Sequence, residues 1–269
     1  DVARDIKGKF PNIHCVVLTP FSHGITKRME NEDLSIFDYV FCWLGNTNLI
    51  LSIIKLIEDK MNLEHDIHEA GVQMILLVED SIRFYSSILP NLYNFILEQS
   101  KNFSKEALNR HAATMRMRGR PKVVLARTYE EALKLYQKYS DNTLGVISDA
   151  RFPLKNAAKA FGNEVDVDAK PKYRTDTFGR EKDPEAGLKL FRYIRQNDPF
   201  VPLILESSES ENRAKAEAEG FRFVDKNSKK MSVDLRHLME EHMGFGDFIF
   251  RDPKTHEEIT RIRSLKELQ

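Results

Sequence analysis

Cysteine is scarce in this chain: Cys15 and Cys42 are the only two among 269 residues. Both sit inside short apolar runs, so they read as small buried hydrophobes rather than as the disulfide framework of a small secreted fold. Long apolar runs are missing too. The longest candidate, Phe37 to Ile57, is broken by Gly45-Asn46-Thr47-Asn48, and nothing approaches the roughly 18 apolar residues a membrane-crossing helix needs. There is no excess of one charge, since Lys plus Arg and Asp plus Glu number 41 each. No overall field therefore recruits nucleic acid or anionic lipid. The opening Asp1-Val2-Ala3-Arg4-Asp5 has no signal-peptide layout, so a cytoplasmic protein with neither a membrane nor a nucleic-acid partner is expected. It also lacks an initiator Met, which suggests a piece of a longer protein. Hydrophobic residues at 41% and charged residues at 30% suit folded domains rather than disorder.

What is present is a series of short apolar runs: Cys15–Leu18, Tyr39–Cys42, Met74–Val78, Val123–Ala126, Leu144–Ile147, Leu203–Leu205 and Phe221–Val224. They are rich in Val, Ile, Leu and Phe with little alternation, as parallel strands buried on both faces require. Helically spaced segments lie between them; Leu188, Phe191 and Ile194 form one stripe, and Leu235, Leu238 and Met239 another. From Met74 onward five strands alternate with five helices, starting near Ser81, Thr128, Pro184, Ser210 and Ser232. This predicts an α/β, doubly wound (βα)5 flavodoxin-like parallel sheet of strand order 2-1-3-4-5, with ligands gathered at the carboxyl ends of the strands.

The expected organisation has three parts. Residues 1–70 make a truncated unit of the same fold, with helices over 2–9, 23–31 and 46–62, strands over 13–19 and 37–42, and a polar junction at Glu64–Gly71 unless the last helix runs through it. Residues 71–243 make the complete unit. Within it, 99–122 extends the first helix or adds a basic hairpin, and the polar 154–183 stretch is long enough to be a lid or binding element. Residues 244–269 end in a charged helical run, Glu257–Leu268, and lead into a following domain.

Every strand end of the complete unit carries a functional group. Glu79 and Asp80 follow the first strand, Asp149 the third, Ser207 the fourth and Lys226 the fifth. In a doubly wound sheet these ends converge on one rim. Carboxylates there make a hard oxygen site suited to Mg2+, which offsets their repulsion and the charge of a transferring phosphoryl group. One carboxylate is then left to attack phosphorus, Lys226 pairs with the phosphoryl oxygens, and Ser207 donates a hydrogen bond.

Leu77-Val78-Glu79-Asp80-Ser81, Ile147-Ser148-Asp149-Ala150-Arg151-Phe152-Pro153, Pro202-Leu203-Ile204-Leu205-Glu206-Ser207-Ser208 and Phe223-Val224-Asp225-Lys226 together resemble the response-regulator receiver (CheY-like) family. The resemblance implies that Asp149 is the phosphoacceptor and that Asp80 is the direct metal ligand, with Glu79 beside it. It further implies Asp149 and the backbone carbonyl of Arg151 as ligands, and Ser207 and Phe223 as the switch pair. Asn227 departs from the family, which has proline after the lysine. The first unit resembles a degenerate receiver, with Cys42 where the lysine belongs. The tail Gly244-Phe245-Gly246-Asp247-Phe248 resembles regulatory regions ahead of phosphoenolpyruvate-synthase-like or pyruvate phosphate dikinase-like enzymes.

The expected function is that of a phosphorelay receiver within a larger regulatory protein, with Mg2+ as cofactor and a histidine kinase or phosphotransfer protein as partner. Homodimerisation through receiver surfaces is part of that expectation. No enzyme activity is expected beyond the gain and loss of its own phosphoryl group. The alternative is an unphosphorylated pseudo-receiver that serves as an interaction or dimerisation module. A Mg2+-dependent phosphohydrolase would need a second aspartate two residues after the nucleophile, where Arg151 stands.

Overall fold

The computed structural model describes residues 2–20, 36–105, 109–111, 114, 119–155, 180–244, 247–252, 254–255, 257–262 and 267. The helix expected over 23–31, most of the 154–183 stretch, and Arg116 and Arg118 of the basic segment lie outside these residues. Along the chain, α1 (Val2–Lys9) leads to β1 (Val16–Pro20), and β2 (Tyr39–Trp43) to the long α2 (Asn48–Ala70). Next come β3 (Met74–Val78), α3 (Ile82–Lys105), β4 (Lys122–Ala126), α4 (Tyr129–Tyr139) and β5 (Thr143–Asp149). Two short strands, β6 (Phe152–Pro153) and β7 (Lys182–Asp183), precede α5 (Ala186–Asn197), β8 (Leu203–Ser207), α6 (Glu211–Ala218), β9 (Arg222–Asp225) and α7 (Met231–Glu241). A hairpin of β10 (Phe248–Arg251) and β11 (Glu258–Ile262) follows.

Five strands pair in parallel in the order β4-β3-β5-β8-β9. Numbered within that set the order is 2-1-3-4-5, the doubly wound arrangement read from the sequence. Every residue of β3, β4 and β8 is buried, because helices cover both faces. Ile75, Leu77, Ile147 and Ile204 pack under α3 and α7, while Met74, Leu76, Val146 and Leu203 pack under α4 and α5. The alternation follows the pleat, and each fully buried aliphatic side chain is worth about 1.5–3 kcal/mol. Local signals set the helix starts. Thr128 Oγ1 accepts from Glu131 N at 3.2 Å and the Glu131 carboxylate accepts from Arg127 N at 2.8 Å, a reciprocal cap that begins α4.

Described residues of the first seventy pack against this frame. β1 and β2 form a small parallel two-stranded sheet, and Val40, Phe41 and Cys42 share a buried cluster with Tyr85, Ile88 and Leu89 of α3. The Phe41 and Tyr85 rings meet edge to face at 5.4 Å, Cys42 N donates to Ser86 Oγ at 2.9 Å, and the Tyr85 hydroxyl donates to the Val40 carbonyl. Both cysteines are free. Of the two expectations for Glu64–Gly71, the helix running through it is the one found: α2 extends to Ala70 and stops at Gly71, whose φ of 60° suits a left-handed cap. Its middle lies along the outer edge of β4, where the fully buried Asp59 accepts from Val123 N at 2.9 Å, Tyr93 Oη at 2.9 Å and both Arg120 terminal nitrogens at 3.1 and 2.6 Å. An edge N–H that would otherwise be open is thereby closed.

The 99–122 stretch continues the helix as far as Lys105, and Arg110 and His111 are helical as well. The charged run after Glu257 is not a helix at its start. Glu258–Ile262 pairs antiparallel with Phe248–Arg251, and the hairpin returns to the domain, with Arg261 Nη1 donating to the Glu240 carbonyl at 3.4 Å. Ile259, Thr260 and Ile262 are β-branched, and cross-strand pairing overrides the weaker helical preference of the charged residues. No helix among the described residues is long and apolar enough to cross a membrane.

Candidate metal and phosphoacceptor centre

The carboxyl rim of the sheet brings together the side chains that its strand ends predicted. β3 delivers Glu79 and Asp80, and its neighbour β5 ends on Asp149. Ligand atoms of these three carboxylates all lie within 4.8 Å of one another. From the end of β9, Lys226 reaches across to Glu79 and also lies 2.8 Å from Asp149 Oδ1. Its ammonium rests 4.5 Å from the centre of the Phe84 ring, a favourable cation–π contact. Glu79 Oε1 accepts from Ser81 N at 2.9 Å and Asp149 Oδ1 from Ala150 N at 2.8 Å, so the backbone of each loop fixes its own carboxylate. Among the three, only Asp149 reaches the surface, with 13% of its side chain exposed against 0% for Glu79 and Asp80.

Burial and charge pull in opposite directions here. Burial raises the Glu79 carboxyl above the ordinary range; Lys226 opposes the shift, and the Asp149 and Asp80 charges add to it. For Lys226 burial disfavours the charge, yet Asp149 and Glu79 outweigh it and hold the ammonium above the usual lysine range. The cluster thus stabilises positive charge strongly.

Gly187 explains how α5 closes on this rim. A Cβ there would lie 2.3 Å from the Asp149 carbonyl oxygen and 3.1 Å from Ala150 Cα, so only glycine lets the helix donate from Gly187 N to the Ala150 carbonyl at 3.1 Å.

The remaining predicted residues are less directly engaged. Ser207 ends β8, but its Oγ accepts from Glu209 N at 3.1 Å and Asn212 Nδ2 at 2.9 Å, a loop-closing role. Arg151 pairs through its side chain with Glu209 at 2.8 Å. Phe223 is half-buried, with the Arg213 guanidinium 4.7 Å from its ring centre. Asn227, in place of proline, donates from Nδ2 to the Ser208 carbonyl at 2.9 Å and from its backbone N to Asp225 Oδ1 at 2.8 Å. It ties the β8 and β9 loops together.

Three neighbours were not anticipated. Phe84 lies under Lys226. Glu206, opposite Asp149 in the β5–β8 register, is fully buried, and neither of its side-chain oxygens finds a hydrogen bond among the described residues. Burial pushes its carboxyl up to about 7. Lys182, at the far end of the 154–183 stretch, lies with Nζ 2.5 Å from Asp80 Oδ2. Glu206 had a sequence signal, a charged residue inside an otherwise apolar strand. Lys182 had none, being one of several lysines in a polar segment.

Three carboxyl groups cluster here against two ammonium groups, Lys226 and Lys182. Two adjacent aspartates with solvent reach at one of them suit a hard divalent cation that keeps part of its water shell. The residues therefore fit Mg2+.

No family model matches the sequence, and no curated protein matches it. Among solved structures, the chain is similar to a response regulator receiver domain protein from Clostridium thermocellum, at 18% identity and a TM-score of 0.37, over 65% of this chain and 96% of that one. A two-component transcriptional regulator from Clostridium phytofermentans gives 14% identity and a TM-score of 0.32, over 64% and 92%. The receiver domain of an Arabidopsis thaliana histidine kinase, complexed with Mg2+ and BeF3−, gives 14% and 0.30, over 66% and 96%. The resemblance of the tail to regulatory regions ahead of phosphoenolpyruvate-synthase-like enzymes finds no support in these comparisons, and its Phe245 and Gly246 lie outside the described residues. Identities of 14–18% at these TM-scores do not assign the chain to a family, so its function rests on its own side chains.

Proposed function

We propose that residues 71–243 act as a phosphoacceptor receiver, taking a phosphoryl group on Asp149 with Mg2+ held by Asp80, Asp149 and the Arg151 carbonyl, and with Glu79 beside them. One observation carries the reading: carboxylates from two strand ends meet within 4.8 Å at the one rim where Lys226 spans Glu79 and Asp149. When bound, Mg2+ supplies charge neutralisation for the transferring phosphoryl oxygens. Asp149 is the nucleophile because it alone of the three reaches solvent. Its carboxylate oxygen forms the new O–P bond while the P–N bond of a phosphohistidine donor breaks, and the bonding pair returns to the imidazole nitrogen. The donor is the histidine of a kinase or phosphotransfer protein. Lys226, already charged and held by Phe84, moves from Asp149 towards the phosphoryl oxygens. Ser207 then gives up its loop contacts to donate to the same group, and Phe223 follows; the two couple the acyl phosphate to the β8–α6 surface.

The test is incubation of the whole chain with a small phosphodonor and Mg2+, followed by intact-mass and peptide mapping. Wild type gains one phosphoryl group on the peptide holding Asp149, while Asp149→Asn and metal-free wild type do not. No gain on wild type at saturating Mg2+ would overturn the proposal. A second reading, an interaction module that keeps the fold without phosphotransfer, draws support from Lys182 standing on Asp80, and this result would favour it.

A further inference from the structure

Lys182 belongs to none of the roles above, yet it is built into the site. β6 and β7 pair antiparallel, Phe152 with Asp183 and Pro153 with Lys182. Asp183 anchors the return: Oδ1 accepts from Glu185 N at 2.8 Å and Oδ2 lies 2.6 Å from Lys189 Nζ. With its backbone held on both sides, Lys182 turns an ammonium that is only 15% exposed onto the fully buried Asp80, at 2.5 Å. The two lysines divide the cluster, since Lys226 takes Glu79 and Asp149 and Lys182 takes Asp80.

A divalent cation and an ammonium drawn to the same Asp80 carboxylate are like charges in a poorly screened site, where they repel strongly. Resting on the reading of Glu79, Asp80 and Asp149 as a Mg2+ site, we infer that Lys182 is a tethered counter-ion that competes with the divalent cation for Asp80. Loading of the metal and docking of Lys182 are then alternatives. By linkage, whatever draws Lys182 off Asp80 tightens metal binding, and metal binding weakens the Lys182–Asp80 contact by the same factor.

Calorimetric titration of the whole chain with MgCl2 tests this. Lys182→Met is expected to bind Mg2+ about tenfold more tightly than wild type or better. Lys182→Arg, which keeps the charge, stays near wild type, and Asp80→Asn loses binding whatever residue stands at 182. Lys182→Met binding no better than wild type, or Lys182→Arg binding as tightly as Lys182→Met, overturns the competition; with Asp80→Asn still defective, the metal site itself stands. Absence of binding in both wild type and Lys182→Met overturns the competition and the site together. A second measurement needs no variant: acylation of Lys182 by an amine-reactive reagent, mapped by mass spectrometry, rises several-fold in wild type when Mg2+ is added. An unchanged labelling rate contradicts the inference.

Discussion

Glu206 stands one residue before Ser207 on β8, fully buried, without a hydrogen bond to either oxygen among the described residues and with its carboxyl pushed up to about 7 by that burial. A carboxyl raised in the folded state binds its proton more tightly there than in the unfolded chain. Its contribution to stability is therefore complete below about pH 4.5 and is lost as pH rises through about 7. Such a shift corresponds to about 3 kcal/mol at most. Glu206→Gln cannot ionise, so the stability of wild type relative to this variant is expected to fall by up to that amount across the window, measured by urea unfolding at a series of pH values. A difference that does not change with pH contradicts the assignment. The residue was visible in the sequence as a charge in an apolar run, but its lack of a hydrogen-bond partner among the described residues was not, because that depends on what β5 and β9 bring alongside. The same holds at the site. Glu79, Asp80, Asp149 and Lys226 were legible because each ends an apolar run. Lys182 was not, because what singles it out is a two-residue ladder joining Phe152-Pro153 to the distant Lys182-Asp183.

Among the elements, α2 shows how far sequence reading carries and where it stops. Its start and its apolar positions follow from helical spacing, whereas its passage through Glu64–Ala70 does not, since that segment is polar and its burial comes from β4. Asp59 and Asp66 both lie on this helix and both face cations from the chain at the start of β4. They differ in burial, Asp59 being sealed and Asp66 27% exposed at its side chain. Removing one partner of a buried, fully bonded ion pair typically costs about 3–5 kcal/mol, whereas a partly solvated pair is worth about 1 kcal/mol or less. Asp59→Ala is expected to lose the larger amount in denaturant unfolding and Asp66→Ala the smaller. Equal losses would mean that α2 does not depend on the Asp59 network to hold the β4 edge. The hairpin after α7 gives the opposite lesson: Glu257 to Leu268 has the charge pattern of a helix, and only its pairing with Phe248–Arg251 reveals a strand.

Over the whole molecule, one parallel sheet gathers acids and a lysine from strand ends far apart in sequence, and the first seventy residues buttress that sheet along the β4 edge and over α3. The order of the five strands was readable because each apolar run was short, unbroken and followed by a helical stripe. How residues 1–70 lean on the rest was not, because α3 presents apolar side chains to the sheet and to β2 alike, and a one-dimensional pattern does not say which neighbour lies on which side. The carboxyl rim is tested best by a crystal structure of the whole chain grown with Mg2+ and beryllofluoride. The expected result is beryllium bonded to the Asp149 carboxylate, Mg2+ on Asp80 and Asp149, Lys226 on fluoride and Lys182 withdrawn from Asp80. Beryllofluoride and metal absent from this rim under saturating conditions, with Lys182 and Lys226 still on their carboxylates, would contradict it.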